Sequence, residues 1–238
     1  MHRIRPVPEL GVVIDVVRAT TCIATAVDAG ASRVVPVETV EEARAAAREM
    51  GALLCGERSG VPPVGFDLGN SPVAYDSSRV AGRDLVFTTT NGTRAMRAVH
   101  RLGVSCQWLA CFRNLRAVVE TLLDAVSDTD DASLLIACAG RQGRVSMDDA
   151  WCAGHLVDRL ITARPASRLS DGAQAARRFG IRMGRPSAEG LAQCGAGQAL
   201  IAAGLRGDLV ECARVDDLQV APVRDGGAFV KGGEEEGI

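Results

Sequence analysis

Residues 12–30 read VVIDVVRATTCIATAVDAG, and this stretch sets the pattern for the whole chain. The apolar run Val12-Val13-Ile14 predicts a buried strand, and the stretch from Thr21 to Ala29 predicts a helix that ends at Gly30. Further strands are predicted at 34–37, 53–55, 85–87, 134–138 and 219–223. Buried strands that alternate with helices are typical of a sheet covered on both faces. We therefore predict an α/β fold with three α/β/α layers and a mostly buried mixed sheet.

Capping signals predict where the helices begin and end. Thr39 and Glu42 form a capping box, and Gly51 ends the helix that this box begins. Later helices are predicted at 92–102, 114–126, 146–163, 173–179 and 188–203. We expect one domain over residues 1–225, followed by a flexible acidic tail over 226–238.

Two of these strand–helix units are similar at an offset of 73 residues. Val13, Thr20 and Gly30 then match Val86, Thr93 and Gly103. The match indicates either an internal duplication or the likeness that any two α/β units share. In both units a polar, threonine-rich turn follows a buried strand and begins a helix, where free N–H groups bind ligands in open α/β sheets.

The composition excludes several function classes. Of the 27 basic residues only Lys231 is a lysine, and it lies in the Gly/Glu-rich tail. A Walker A loop and Schiff-base chemistry both need a lysine in the folded body. An anion must therefore be held by arginine, backbone N–H groups, hydroxyls or a metal.

The net charge and the residue composition exclude several classes of binding partner. The net charge of −2 and an aromatic content of 3% predict no binding to nucleic acid. No signal peptide or long apolar span is visible, so we expect no membrane association. The eight cysteines include no C-x-x-C pair, which argues against a zinc or redox motif. A cytoplasmic protein that acts on a small anion, as a homo-oligomer, is the simplest expectation.

Polar residues follow the first strand. Asp15 is suited to binding a metal or attacking phosphorus, and Arg18 to binding a phosphate or sulfonate as a fork. Thr20 and Thr21 supply hydroxyls beside them. The alternative is an N-cap cluster with a surface ion pair.

A long loop over residues 56–72 carries the next candidates. Glu57 and Asp67 are carboxylates of the kind that Mg²⁺ prefers, and Arg58, Ser59 and Asn70 accompany them. The alternative is a solvated loop with Asx turns.

The strand at 85–87 ends in the sequence TTTNGTR, residues 88–94. Hydroxyls, an amide and backbone N–H groups at a helix start form a lysine-free cradle for an anion. The residues of this cradle are Thr89, Thr90, Asn91, Gly92 and Thr93. The alternative is an ordinary turn, which Asn91-Gly92 alone would favour. At 146–149, Ser146 and Asp149 fit a variant of the capping box.

Together, four of these segments closely resemble the 2-phosphosulfolactate phosphatases. They are IDVVRATT at 14–21, GER at 56–58, GFDLGNSP at 65–72 and TTTNGT at 88–93. Segments at 138–140, 148–149, 152–154 and 208–213 are similar too, so the resemblance covers about residues 10 to 223. Val17 and Cys22 depart from the family pattern, and Arg141 and Arg144 add two cations near the expected site.

The resemblance implies Mg²⁺-dependent hydrolysis of (R)-2-phospho-3-sulfolactate to 3-sulfolactate and phosphate, a step of coenzyme M biosynthesis. It places Asp15, Arg18, Glu57, Asp67, Asn70, Asn91 and Asp149 around the site. We expect Mg²⁺ on some of Asp15, Glu57 and Asp67, with Arg18 and Arg58 holding the phosphate and sulfonate. Two alternatives remain, a non-catalytic protein that binds small anions and another phosphoester enzyme on the same scaffold.

Overall fold

Short apolar segments form the strands, and the structure buries most of them. The computed structural model describes residues 7–127 and 132–232. Within these residues the strands are β1 (Leu10–Ile14), β2 (Arg33–Val37), β3 (Leu53–Gly56), β4 (Asp84–Thr88), β5 (Cys106–Ala110), β6 (Leu134–Cys138), β7 (Val223–Asp225) and β8 (Ala228–Val230). The helices are α1 (Ala19–Asp28), α2 (Val40–Met50), α3 (Ser77–Val80), α4 (Gly92–Arg101), α5 (Leu115–Ala125), α6 (Met147–Ala163), α7 (Asp171–Met183), α8 (Ala188–Gln193), α9 (Gly195–Ala202) and α10 (Asp208–Cys212).

All the described strands belong to one mixed sheet, in the order β3-β4-β2-β8-β7-β5-β1-β6. Two parallel triplets, β3-β4-β2 and β5-β1-β6, flank an antiparallel hairpin of β7 and β8. In the second triplet, Val13 of β1 lies opposite Leu109 of β5 and Ala137 of β6. The prediction of a mixed sheet is therefore confirmed.

Alternate residues of the central strands pack on opposite faces of the sheet. Val13 of β1 packs in a core that includes residues of α1 and α4, whereas Ile14 packs in a core with residues of α5 and α6. In the other triplet, Phe87 of β4 faces the first core, and Val86 packs with α2. Helices thus cover both faces, which is the predicted α/β/α arrangement.

The 73-residue repeat also appears in the topology. Helices α1 and α4 have ten residues each and begin 73 positions apart, and the five-residue strands β2 and β5 have the same offset. Exchanging β1 with β4, β2 with β5 and β3 with β6 reverses the order of the six strands outside the β7–β8 hairpin. This pseudo-twofold pattern is the one that a duplication would leave.

The predicted helix caps at α2 are confirmed. The Thr39 side chain accepts from the Glu42 N–H at 3.0 Å, and the Glu42 carboxylate accepts from the Thr39 N–H at 3.3 Å. Gly51 ends the helix with a φ of 64°, a conformation that glycine adopts without steric cost.

The end of the chain differs from the prediction. The strand expected at 219–223 begins only at Val223, and the tail expected from 226 contains β8, whose Phe229 is fully buried. Those residues complete the sheet because β8 pairs with β2, far away in the sequence. The rest of the expected tail, residues 233–238, lies outside the described residues.

Other elements also differ from the prediction. The helix predicted at 188–203 is two helices, because Cys194 has an extended conformation between α8 and α9. The sequence analysis did not predict β5 or α10, which are both five residues long.

Within the part of the chain that the structure describes, no helix has the length and apolarity to cross a bilayer. The homo-oligomer and the cytoplasmic location stay predictions.

Candidate functional site

A cleft of about 270 Å³ lies where the loops that follow β1 and β4 meet. The loops after β1, β3 and β4 form part of its wall, and residues 140–149 and one face of α9 form the rest. Three helices begin at the cleft, because the residues immediately before them (Arg18 before α1, Asn91 before α4 and Ser146 before α6) line it. The strand ends that the sequence singled out are therefore brought together.

A threonine at the start of α1 holds the turn that carries Asp15. The Thr20 hydroxyl accepts from the Asp15 N–H at 3.0 Å and donates to the Asp15 carbonyl at 2.8 Å. Thr93 makes the same pair of bonds with Thr89 at the start of α4, at 3.2 and 3.0 Å. Both threonines are fully buried and do not line the cleft, so their role is to hold the backbone of the two turns in place.

Asp15 is a buried carboxylate that lines this cleft. Its Oδ1 accepts from the Ala19 N–H at 3.2 Å. Its pKa is raised to about 7, mainly by burial and in part by the nearby charges of Asp148 and Glu57, against the lowering effects of the Ala19 bond and Arg18. An aspartate with such a pKa in a cleft is a candidate for chemistry.

Close packing of two helix starts fixes the position of Asp15. A Cβ on Gly92 would lie 2.6 Å from Asp15 Oδ2 and 2.5 Å from Ala19 Cβ. Both distances are shorter than van der Waals contact. Position 92 therefore requires glycine, because the absence of a side chain lets α4 begin directly against Asp15.

Glu57 joins two loops across the cleft. Its Oε2 accepts from the Gly60 N–H at 2.7 Å, and its Oε1 accepts from the Thr90 N–H at 2.8 Å. Gly56 permits this arrangement, since a Cβ there would lie 1.9 Å from the Thr88 carbonyl oxygen. The Glu57 carboxylate is buried and so links the loop after β3 to the loop after β4.

Two adjacent carboxylates begin α6. Asp149 accepts from the Val16 N–H and from the Gly140 N–H, each at 2.9 Å, and Asp148 accepts from the Ser146 hydroxyl. Burial raises the pKa of both carboxyls, and the neighbouring charges of Asp148 and Asp15 raise that of Asp149 further. The capping box expected of Ser146 and Asp149 is wrong, because both side chains make these other bonds.

Arg18 is buried at the cleft wall and is largely neutralised by the protein. Its Nη1 lies 2.5 Å from Asp208 Oδ2, and its Nη2 donates to the Gly60 carbonyl at 2.9 Å. Asp208 also accepts from the Ser71 hydroxyl at 2.6 Å, which fixes the carboxylate in place. The guanidinium has further N–H groups to offer to a ligand.

The structure separates the predicted site residues into two groups. Those that line the cleft are Asp15, Arg18, Glu57, Ser59, Asn70, Thr89, Thr90, Asn91 and Asp149. Those that do not are Thr20, Thr21, Arg58, Asp67, Gly92 and Thr93.

Arg58 and Asp67 lie away from the cleft for specific reasons. The Arg58 guanidinium donates to the carbonyls of Glu57 and Glu38 and to the Thr88 hydroxyl, at 2.6 to 2.7 Å. The exposed Asp67 accepts from the Leu54 N–H at 2.8 Å. Asp67 is therefore not placed to share a metal ion with Asp15 and Glu57. Within 7–127 and 132–232, no group of three His, Cys, Asp or Glu residues has the geometry to hold a metal.

The sequence reading missed several cleft residues. Asp148, Gly140, Arg141 and Gln142 line the cleft, as does the face of α9. Asp208 contacts Arg18 from α10, 190 residues away in sequence. Arg141 is the exception, because the sequence analysis had already named it as an added cation near the expected site.

Comparison with known proteins gives a consistent result. The sequence profile of the 2-phosphosulpholactate phosphatase family matches residues 2–227. A probable 2-phosphosulfolactate phosphatase of Thermotoga petrophila is 39% identical over 219 residues, which are 92% of this chain and 90% of the relative. Proteins of the same name from Symbiobacterium thermophilum and Deinococcus radiodurans are each 37% identical, over 97% and 90% of this chain and 99% and 87% of theirs. The chain therefore belongs to the 2-phosphosulfolactate phosphatase family.

Proposed function

We propose that the protein is a Mg²⁺-dependent phosphatase that hydrolyses 2-phosphosulfolactate to 3-sulfolactate and phosphate at this cleft. The names of the relatives support a phosphatase acting on this substrate. The observation that carries the proposal is a group of buried carboxyl groups in the cleft that have no basic partner among the described residues.

Four carboxylates line the cleft, those of Asp15, Glu57, Asp148 and Asp149. Each is at most 9% exposed, and among the described residues none of them forms an ion pair with a basic side chain. Burying unpaired charge is costly, so a cation that joins the substrate in the cleft would stabilise this arrangement. A phosphate ester alone would add negative charge to an already acidic site.

The oxygen atoms available fit Mg²⁺. Asn70 Oδ1 is buried and has no hydrogen-bond partner among the described residues, although it belongs to the cleft wall. Carboxylate and amide oxygens are the ligands that Mg²⁺ prefers, together with water and phosphoryl oxygens. We assign Asp15, Glu57 and Asn70 as the residues that would hold it. Bound there, Mg²⁺ would offset charge on the phosphoryl oxygens in the transition state.

Backbone groups at the helix starts would bind the phosphoryl group. The N-cap residues of α1, α4 and α6, which line the cleft, make no side-chain cap to their helices. By contrast, α2, α7 and α8 are capped by Thr39, Ser170 and Ser187. These helix starts therefore direct a positive dipole end toward an anion, although at α1 the Ala19 and Thr20 N–H groups are already bonded to Asp15. Arg18 and the Thr90 hydroxyl would add donors from the loops on either side.

A panel of small phosphorylated acids tests this proposal, assayed for phosphate release with Mg²⁺ and with EDTA. We expect the highest kcat/KM with 2-phosphosulfolactate and loss of activity in EDTA. Hydrolysis of another phosphoester only would assign a different reaction on this scaffold. Absence of metal-dependent release across the panel, with calorimetric binding of the same acids retained, would show an anion-binding protein and refute the phosphatase.

A further inference from the structure

The cleft contains one arginine that the protein itself leaves unused. Arg141 lines the cleft and is exposed, and among residues 7–127 and 132–232 its guanidinium has no ion pair or hydrogen-bond partner. Arg18, the other arginine that lines the cleft, is bound by Asp208 and the Gly60 carbonyl. Arg141 therefore has all five of its N–H donors available for a ligand.

The backbone around Arg141 is held at both of its neighbours. Arg141 and Arg144 pair across a tight turn, with backbone bonds of 2.9 and 3.0 Å. The Gly140 N–H donates to Asp149 at 2.9 Å, and the Gln142 N–H donates to Asn91 at 3.3 Å. The turn is thus tied to the starts of α6 and α4.

Gly140 also fixes the path of this turn. It has a φ of 67°, and a Cβ there would lie 2.4 Å from the Arg144 carbonyl oxygen. Glycine is therefore required at this position. The backbone of Arg141 therefore has a defined position, although its side chain is exposed.

The wall beside Arg141 is apolar. The guanidinium reaches the start of α9, where its Nη1 lies 3.9 Å from the position that a Cβ on Gly195 would take. Helix α9 contributes Ala196, Ala199 and Leu200 to the cleft. Such a wall can contact a short carbon chain and has no charge of its own. The cation beside it would therefore favour a substrate whose carbon chain carries a second anionic group.

We propose that Arg141 binds the non-reacting sulfonate of the substrate and so makes the enzyme selective for phosphorylated acids that carry this second strong anion. This inference rests on the proposed function of the same cleft. Arginine suits the role because its planar fork makes two charge-assisted hydrogen bonds to an oxyanion. The helix starts would then bind the reacting phosphoryl group, with the carboxylates holding the metal ion beside it, and Arg141 would orient the other end.

The test compares Arg141→Gln with Arg144→Gln. Both arginines are exposed and belong to the same turn, but Arg144 does not line the cleft, so the control removes the same charge nearby. The kcat/KM of each variant is measured for 2-phosphosulfolactate and for 2-phospholactate, which has a methyl group in place of the sulfonate end. Arg141→Gln is expected to lower kcat/KM for 2-phosphosulfolactate by about 10- to 100-fold and to leave 2-phospholactate unchanged. Arg144→Gln is expected to change neither.

Equal losses on both substrates would assign Arg141 to the phosphate or carboxylate and overturn the inference, as would wild-type behaviour of Arg141→Gln. Calorimetry with 3-sulfolactate supplies a readout that needs no turnover, and we expect Arg141→Gln alone to weaken binding by a similar factor. If the wild type releases no phosphate, the proposed function fails. The inference about Arg141 then depends on this binding result, and equal binding by all three proteins would refute it.

Discussion

Replacing Gly92 by alanine adds a single carbon atom and so tests the geometry of the site. The added Cβ would lie 2.5 Å from Ala19 Cβ and 2.6 Å from Asp15 Oδ2. Carbon atoms in contact prefer about 3.5 to 4.0 Å, so the starts of α1 and α4 would have to separate by about 1 Å. The Ala19 methyl cannot rotate away, because it is attached directly to the backbone.

Two effects of Gly92→Ala follow from that displacement. Overpacking of this kind lowers the free energy of unfolding by about 1–3 kcal/mol, which urea denaturation measures. A shift of about 1 Å in catalytic groups can lower activity by about 100-fold, so kcat/KM for phosphate release should fall by that order. Asp15 would be the group displaced.

Gly172→Ala is the matched control, because Gly172 also lies in the first turn of a helix. Outside the adjacent residues, the nearest atom to a Cβ there would be Ser170 Oγ at 3.9 Å. This variant should gain up to about 1 kcal/mol in helix propensity and keep its activity. Adding Ala19→Gly to Gly92→Ala should recover part of the stability but not the activity, since the contact with Asp15 remains. Wild-type stability and activity in Gly92→Ala would refute the close approach of the two helices.

Three further predictions follow from individual contacts. Asp208→Ala should lower the free energy of unfolding by about 3–5 kcal/mol in urea, because it leaves the buried Arg18 unpaired; an effect below about 1 kcal/mol would contradict the ion pair. In EDTA the protein should lose stability as pH rises from about 4 to 7, by up to about 4 kcal/mol, since the folded pKa of Asp15 is about 7 and folding favours its protonated form. Asp15→Asn should flatten that profile, and an unchanged slope would point to other groups. Glu57→Gln should weaken Mg²⁺ binding by calorimetry, whereas Asp67→Asn should not, and equal effects would return Asp67 to the metal site.

The location of the site was predictable from the sequence because strands and their turns have local signals. The polar residues after β1 and β4 follow buried apolar runs, and the carboxyl ends of such strands collect ligand-binding groups. The turn residues themselves were predicted with less precision. Thr20 and Thr93 hold the turns from behind, a role that the residue type alone does not separate from ligand binding.

Loop side chains were harder to place, because loops lack the periodicity that fixes a side chain's direction in a helix or strand. Glu57 and Asp67 are the same kind of candidate in sequence, yet one lines the cleft and the other binds the Leu54 N–H. The contact of Asp208 with Arg18 could not be predicted either, because the two residues are 190 positions apart in the sequence. The β7–β8 hairpin was missed because its strands have three residues each and pair with distant strands.

The most direct test of the central claim is the initial rate of phosphate release from 2-phosphosulfolactate by the wild type and by Asp15→Asn, each with Mg²⁺ and with EDTA. The asparagine keeps the shape of the side chain and removes its charge, and circular dichroism confirms that the variant is folded. We predict Mg²⁺-dependent release by the wild type and a loss of at least about 100-fold in the variant. Equal rates for the two proteins, or a rate that EDTA does not change, would contradict a metal-assisted phosphatase site built around Asp15.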